Sequence, residues 1–366
     1  MLFVMAGGGT GGHVVPLLAV AQELRAMGHG CLFIGTREGV ESRLVPQAGF
    51  PLEWIPAAGF QRAGLRGKAR ALVRLPAALA RCLRLFRSAK PAAVFSLGGY
   101  VAAAPVAAAV LARVPVVLME PNAAPGLVNR LAAPLAAAAL LGFEETLARF
   151  PRGKAMVTGM PVREEFFRVR WQPPQDELRL LVTGGSRGAR ALNRAVAESL
   201  PWFRESKLRV SITVQAGALW AEETARALAD AGAEARAVAF LDDMAAAYAQ
   251  AHLVVSRAGA GAVAELAAAG MPSVLVPFPY AADDHQLRNA EAMERAGAAV
   301  VLRESELSGK RLYETVARLA EAPGELERMS RAARAAARPG AARRAAEALL
   351  EAARRGAVSL TQARQA

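Results

Sequence analysis

Met5 to His13 reads MAGGGTGGH, five glycines in six positions closed by an imidazole. Glycine loses more backbone entropy on folding than any other residue, so such a run needs a purpose. The loop follows the apolar run LFVMA and precedes a helical pattern from Val14 to about Met27, and Gly7, Gly9 and Gly12 fit G-x-G-x-x-G. In that setting, bare N–H groups and a helix N-terminus form a site for phosphate or pyrophosphate. Two other readings stay open. A nicotinamide site needs an acidic residue at the end of the next strand. That strand ends Phe33-Ile34-Gly35-Thr36-Arg37, with Glu38 only in the following turn, which weighs against it. The glycines could also serve helix–strand packing alone.

Two further loops share the pattern. Gly98-Gly99-Tyr100 follows the strand-like AVFSL, and Gly184-Gly185-Ser186-Arg187-Gly188 follows LRLLVT. The second combines three glycines, a hydroxyl and a guanidinium ahead of a helix, which suits a diphosphate. Each loop alone is equally an ordinary tight turn; three of them at strand ends point to the edge where open parallel sheets bind ligands. In SRAGAGAVAELAAAG (256–270), Glu265 stands on the first turns of a helix after a turn of small residues. Its carboxylate can accept from both hydroxyls of a ribose, or it is a solvated glutamate favoured by the helix dipole. Asp283-Asp284-His285-Gln286-Leu287-Arg288-Asn289 follows PSVLVPF, a position suited to reading sugar hydroxyls.

The elements that must hold these loops alternate. LFVMA, CLFIG, AVFSL, VPVVLM and AMVTG are strand-like in the first half, and LRLLVTGG, VSITVQAG, ARAVAFL, HLVVS and PSVLVPF in the second, with alanine-rich helical stretches between them. This predicts α/β architecture with parallel sheets covered by helices on both faces. At 366 residues there is room for two cores. Residues 2–20 and 178–196 echo each other as strand, glycine loop, helix. The join should lie in the charged, Pro-Pro-bearing stretch 160–177, giving units of 1–160 and 161–339. From about Arg311 the chain reads as helical, and a last helix of about 340–366 could pack back on either unit.

Charge and absences narrow the chemistry. The net charge is +13, and residues 62–90 hold nine basic residues and no acidic one. A nucleic-acid binder would spread such charge along a longer track, so no nucleic-acid partner is expected. Cys31 and Cys82 are too few for a disulfide framework. The five-residue apolar start runs straight into the glycine loop, so no secretory signal is expected. The apolar run 101–119 is broken by Pro105, Arg113 and Pro115 and reads as a helix and a strand. No D-x-D tripeptide, zinc-ligand spacing, P-loop or G-x-S-x-G occurs, so no metal or cofactor is expected.

GGTGGH (8–13), GGY (98–100), EPN (120–122), GMPVR (159–163), GGSRGA (184–189), FLDDM (240–244), AELAAAG (264–270) and DHQLRNA (284–290) together resemble the MurG family of glycosyltransferases. The resemblance spans residues 2 to about 340. It implies GT-B architecture, two Rossmann-like doubly wound domains facing across a cleft, and metal-independent, inverting transfer of N-acetylglucosamine from UDP-GlcNAc to the 4-hydroxyl of the MurNAc unit of lipid I. Another UDP-sugar transferase of this architecture, with a different lipid acceptor, is the alternative. The resemblance further implies a peripheral protein on the cytoplasmic side of the membrane, touching other cell-wall synthesis proteins.

Residue by residue, it places Arg163 and the Leu241 backbone on the uracil and Glu265 on the ribose. Ser186 falls on the diphosphate, and His285 and Gln286 on the sugar, with Asn122, Thr10, Gly11 and Gly12 also at the donor. Gly8, Gly9, Gly98, Gly99 and Tyr100 would face the acceptor pyrophosphate. Gly184, Gly185, Arg187 and Gly188 would stabilise the leaving diphosphate. The family's usual residues differ at Met160, Arg187 and His285. His13, with an unperturbed pKa near neutrality, is the candidate base, or a ring that caps the loop or binds phosphate. The segment 62–90 would be a basic amphipathic dock for an anionic membrane, or a helix laid on the first domain by its apolar face.

Overall fold

The computed structural model describes residues 1–57, 65–185, 188–230, 234–322 and 324–365, with the side chains of 65–72 and 358–365 left aside. Ser186 and Arg187 lie outside the described residues, as do the start of the basic segment at 62–64 and the side chains of Arg66, Lys68 and Arg70. The chain forms two compact units, Met1–Val162 with Gly340–Ala366, and Arg163–Pro339.

The first unit is built from β1 (Leu2–Ala6), α1 (Gly11–Ala26), β2 (Gly30–Gly35), α2 (Glu41–Gln47), β3 (Leu52–Trp54), α3 (Leu65–Ala89), β4 (Ala93–Ser96), α4 (Gly99–Leu111), β5 (Val116–Glu120), α5 (Leu127–Ala132), β6 (Ala138–Leu141) and β7 (Ala155–Val157). Its seven strands are all parallel, in the order β3-β2-β1-β4-β5-β6-β7. Side chains alternate across a strand. Val4, Ala6, Val94 and Leu118 therefore join Ala78, Cys82 and Phe86 of α3, Val101 and Ala108 of α4 and Ala132 of α5 in one core.

The second unit continues with α6 (Glu164–Arg168), β8 (Leu178–Thr183), α7 (Arg190–Glu205), β9 (Val210–Gln215), α8 (Ala221–Asp230), β10 (Ala235–Val238), α9 (Met244–Gln250), β11 (Leu253–Ser256), α10 (Ala260–Ala269), β12 (Ser273–Leu275), α11 (His285–Arg295), β13 (Ala299–Val301), α12 (Gly309–Glu321) and α13 (Glu325–Ala336). The parallel order is β10-β9-β8-β11-β12-β13. Leu180, Val182, Val214 and Val255 pack with Leu192 and Val196 of α7 and Leu312 and Val316 of α12. Arg334 of α13 donates to the carbonyls of Val169 and Ala269 at 2.7 and 3.0 Å and also to that of Ala268. This guanidinium closes the end of α10. The final helix, α14 (Ala341–Gln365), returns to the first unit, where Arg344 donates to the Thr158 carbonyl at 2.6 Å.

In each sheet the first strand lies between the second and the fourth. The chain winds outward on one side, then resumes on the other, so the loops after the first and fourth strands diverge. This is the point where doubly wound sheets bind ligands. Three candidate loops and the Glu265 helix follow β1, β4, β8 and β11, the four strands at those two points.

Candidate functional site

In the first unit, the glycine run is divided by what fills the missing Cβ positions. A methyl on Gly8 would sit 2.5 Å from the Glu41 carboxylate, and one on Gly9 3.1 Å from the Tyr100 ring. Gly9 has φ 84°, and its N–H donates to Glu41 Oε2 at 2.8 Å. These glycines are filled from within the fold, and the Gly9 amide is already used. Of the two amides expected to face a ligand at Gly8 and Gly9, that of Gly9 is taken by Glu41. A methyl on Gly11 meets nothing within 4 Å, and one on Gly12 only the Thr10 hydroxyl at 3.9 Å.

Those two open glycines begin α1, and α1 has no capping side chain. Thr10 stands at the N-cap, but its hydroxyl pairs with His13 Nδ1 at 2.9 Å. Thr10 is thus spent on orienting the ring, and the Gly11 and Gly12 amides stand at the positive end of the helix dipole, while the His13 N–H donates to the Thr10 carbonyl at 3.1 Å. The loop after β4 lies against this one. A methyl on Gly99 would be 3.4 Å from His13 Nε2, and the Tyr100 ring covers Gly9. Gly98 and Gly99 have φ 75° and 74°, conformations that glycine alone enters freely. Burial raises the Tyr100 phenol pKa, a hydrogen bond with Thr36 opposes the rise, and the Glu41 and Glu38 charges add to it.

Asn122 follows β5 and is held by Glu120. That buried carboxylate accepts the Asn122 N–H at 3.0 Å and its side-chain amide at 3.2 Å on one oxygen. Its other oxygen accepts the Gly126 N–H and Asn129 Nδ2, both at 2.9 Å. Burial raises the Glu120 pKa, and these donors oppose the rise. The structure thus brings His13, Thr10, Gly11, Gly12, Gly98, Gly99 and Tyr100 to one sheet edge, with Asn122 at the end of the adjacent strand.

In the second unit the loop after β8 closes on the fold. A methyl on Gly188 would collide with the Ala216 carbonyl, and one on Gly184 with the Ala189 backbone. The Gly185 N–H donates to Thr183 Oγ1 at 3.2 Å, and the Gly188 N–H to the Gly185 carbonyl at 2.8 Å. The expectation that the amides of Gly185 and Gly188 face a leaving group is therefore corrected: both are bonded within the loop. Gly185 alone of the three faces open space, and the uncapped start of α7 at Arg190 carries the dipole.

Glu265 lies in the second turn of α10, beyond the uncapped Gly259. α6 packs on α10 and brings Arg163 near it; Arg163 also pairs with Glu165 at 2.8 Å and lies 5.1 Å from the Phe166 ring. Burial pushes the Glu265 carboxyl up to about 7; Arg163 lowers it, and Glu165 raises it further. After β12, Asp283 and Asp284 both take φ 51°, a strained left-handed pair of the kind found at ligand clamps. His285 Nδ1 is 2.7 Å from the Ala282 carbonyl, so Nδ1 is the donor. Gln286 Oε1 accepts the Phe278 N–H at 3.0 Å. Its acceptor end thus shapes the loop, and its NH2 end is the group it can offer to a sugar.

Four side chains were missed by sequence reasoning. Glu41 clamps the first glycine loop from 32 residues away. Asn129 lies under Gly98 and holds Glu120. Arg257 had the look of part of a small-residue turn. It donates to the carbonyls of Val276 and Pro277 at 3.2 and 3.4 Å and pairs with Glu304. Phe240, next to Leu241, leaves 55% of its surface exposed at the sheet edge. Phe240 is the first residue of the FLDDM motif, and its aromatic ring there was the one signal that could have been read. Among the described residues no three His, Cys, Asp or Glu side chains converge to hold a metal.

Two parallel doubly wound sheets, each with polar groups and uncapped helix starts at its switch point, form the class of α/β architecture that binds nucleotide-type ligands at those points. The models of the glycosyltransferase family 28 N-terminal domain and C-terminal domain match residues 3–141 and 179–345. The chain is 53% identical to the UDP-N-acetylglucosamine–N-acetylmuramyl-(pentapeptide) pyrophosphoryl-undecaprenol N-acetylglucosamine transferase of Solibacter usitatus, over 90% of both chains. It is 47% identical to the enzyme of that name from Nitrosococcus oceani, over 91% of this chain and 93% of the other. The crystal structure of Acinetobacter baumannii MurG superposes with TM-score 0.80 at 31% identity, covering 96% and 99% of the two chains. A calicheamicin glycosyltransferase, CalG4, shares the fold at TM-score 0.70 and 20% identity, covering 97% of this chain and 98% of the other. The chain belongs to glycosyltransferase family 28 and, within it, to the MurG glycosyltransferases.

The raised Glu265 pKa has a measurable consequence. The native state holds this proton more tightly than the unfolded chain, so stability falls as pH rises from about 4.5 and the loss is complete above about 7. In chemical denaturation, Glu265→Gln should be more stable than wild type at pH 8, with the difference shrinking toward pH 4.5. A difference that does not vary with pH would contradict this.

Proposed function

We propose that this protein transfers N-acetylglucosamine from UDP-GlcNAc to the 4-hydroxyl of the MurNAc unit of undecaprenyl-pyrophosphoryl-MurNAc-pentapeptide, lipid I. The product is lipid II, in peptidoglycan synthesis; the transfer inverts the anomeric carbon and needs no metal. The observation that carries the donor half is the Glu265 carboxyl on α10, desolvated at the switch-point edge of the second unit, with Arg163 at the start of the α6 helix that packs on α10. Ionised, Glu265 accepts from both ribose hydroxyls; Arg163, Phe240 and the Leu241 backbone hold the uracil, Phe240 by stacking. His285 and the Gln286 amide read the sugar.

The leaving diphosphate gains one negative charge as the electron pair of the broken glycosidic bond stays on its oxygen. The uncapped starts of α7 and α10 offer main-chain donors and dipole to it, with Ser186 and Arg187 assigned to the same oxygens by motif alone. A donor of this type typically contributes ~2.7–4 kcal/mol in a dry site. In the first unit, the Gly11 and Gly12 amides, expected at the donor, are assigned instead to the acceptor pyrophosphate, together with the loop after β4, because they open the uncapped start of α1 beside that loop. His13 is the base that takes the proton from the attacking hydroxyl, its ring oriented by the 2.9 Å contact of Nδ1 with the Thr10 hydroxyl.

Radiolabelled UDP-GlcNAc with a lipid I analogue and EDTA tests this reading. Transfer should persist under chelation, exceed transfer from UDP-GalNAc, and fall ~100-fold or more in His13→Ala. Loss of transfer with EDTA, or equal use of both sugars, contradicts it.

The acceptor is a membrane lipid, and we place the protein on the cytoplasmic membrane surface. Among the described residues no helix is long and apolar enough to cross a membrane. The expected apolar stripe on the basic segment is only partly available. Cys82 and Phe86 are buried in the core and Leu79 and Leu83 are packed against it, because the second half of α3 lies on the sheet. Val73 and Leu75 remain exposed beside Arg74. On the same face, Leu127 and Leu131 of α5 and the following Leu135 are 60–70% exposed at four-residue spacing, with Arg130 between them. Basic residues near anionic headgroups contribute ~1 kcal/mol each. Sedimentation should recover the protein with anionic vesicles, less so in high salt and less with Leu131→Gln. Equal recovery with neutral vesicles contradicts the electrostatic dock.

A further inference from the structure

Glu41 is almost fully buried, 1% exposed, and lies where three loops of the first unit meet. Oε2 accepts the Gly9 N–H at 2.8 Å. Oε1 accepts the Thr36 N–H at 2.9 Å and the Thr36 hydroxyl at 2.8 Å. Methyl groups on Gly8, Gly35 and Gly39 would each collide with this side chain. Tyr100 reaches the cluster from the loop after β4, with its ring and hydroxyl oxygen each 3.1 Å from the Cβ position of Gly9. One internal carboxylate therefore joins the loops that follow β1, β2 and β4.

We infer that Glu41 is a positioning residue for the transfer reaction. It holds the first glycine loop so that the Gly11 and Gly12 amides and the His13 ring keep their places, which rests on the reading of that loop as the acceptor site. The chemistry demands a carboxylate. Three donors converge on its two oxygens, and ionised acceptors make the stronger hydrogen bonds. A glutamine supplies one acceptor oxygen, and its NH2 would face either the Gly9 N–H or the two Thr36 donors. Three glycines around one carboxylate follow from the same packing: the side chain takes the volume that their Cβ atoms would need. Part of the glycine excess thus serves an anion that the chain itself provides.

The test uses Glu41→Gln and, independently, Gly39→Ala, whose added methyl takes the carboxylate's space while leaving Glu41 in the chain. Each variant is compared with wild type for thermal unfolding, UDP-GlcNAc affinity, transfer to a lipid I analogue, and hydrogen exchange at the Gly9 amide. UDP-GlcNAc affinity should stay within about twofold of wild type. The acceptor kcat/KM should fall ~10- to 100-fold, the scale of a small misplacement of reacting groups, and Gly9 exchange should quicken. Either folded variant keeping its acceptor kcat/KM within about threefold overturns the inference. So does a parallel loss of donor affinity, which would mark a general structural defect. Should wild type transfer nothing to lipid I, the functional reading fails by itself. Gly9 exchange then decides the clamp, and unchanged exchange in the variants refutes it.

Discussion

In the function proposed above, main-chain donors meet anionic oxygens, and that imposes one constraint on the fold: the helix starts that face them must stay uncapped. A capping Ser, Thr or Asp would satisfy the first-turn amides and close the site. Uncapped starts forgo that local stabilisation and are held in place by other groups. In the first unit those groups are two buried carboxylates, Glu41 under the loop after β1 and Glu120 under Asn122. In the second unit, Thr183 bonded to Gln215 at 2.6 Å and Asn193 bonded to the Ala216 carbonyl at 3.0 Å steady the loop after β8. Arg257 steadies the loop after β12. The braces sit at or next to strand ends and helices of the same unit, so the sheet itself keeps the donors aimed.

This division explains why glycine is so abundant at the two edges. Some glycines make room for the protein: Gly8 for Glu41, Gly9 for Tyr100, Gly184 and Gly188 for backbone. Others, Gly11, Gly12, Gly185 and Gly259, adjoin open space. The two kinds are adjacent in sequence and identical in type. Only the fold sorts them, because the group that fills a gap arrives from a distant strand or helix.

The alternation of apolar β-branched runs with alanine-rich stretches made both parallel sheets legible, as did the glycine loops that end β1, β4 and β8. β6, which reads AALL, carries no β-branched residue and looks like the helices around it; its place between β5 and β7 is a tertiary effect. β3 and β13, three residues each, are too short to show a period. The basic segment was legible as an amphipathic helix, but its periodicity could not distinguish a face laid on a sheet from one offered to lipid. In the candidate site, the motif residues were readable one at a time. Their supports, Glu41, Asn129 and Arg257, were not, since each acts through contacts that no local spacing encodes.

Glycine-selective 15N labelling puts the main-chain donors under direct observation. On titration with a soluble lipid I analogue, the amide resonances of Gly11 and Gly12 should move as their N–H groups take up phosphate oxygens. Gly9, whose N–H stays on Glu41, should move far less. Movement of Gly9 with Gly11 and Gly12 unmoved would mean that the anion binds elsewhere and that the uncapped start of α1 has no part in acceptor binding.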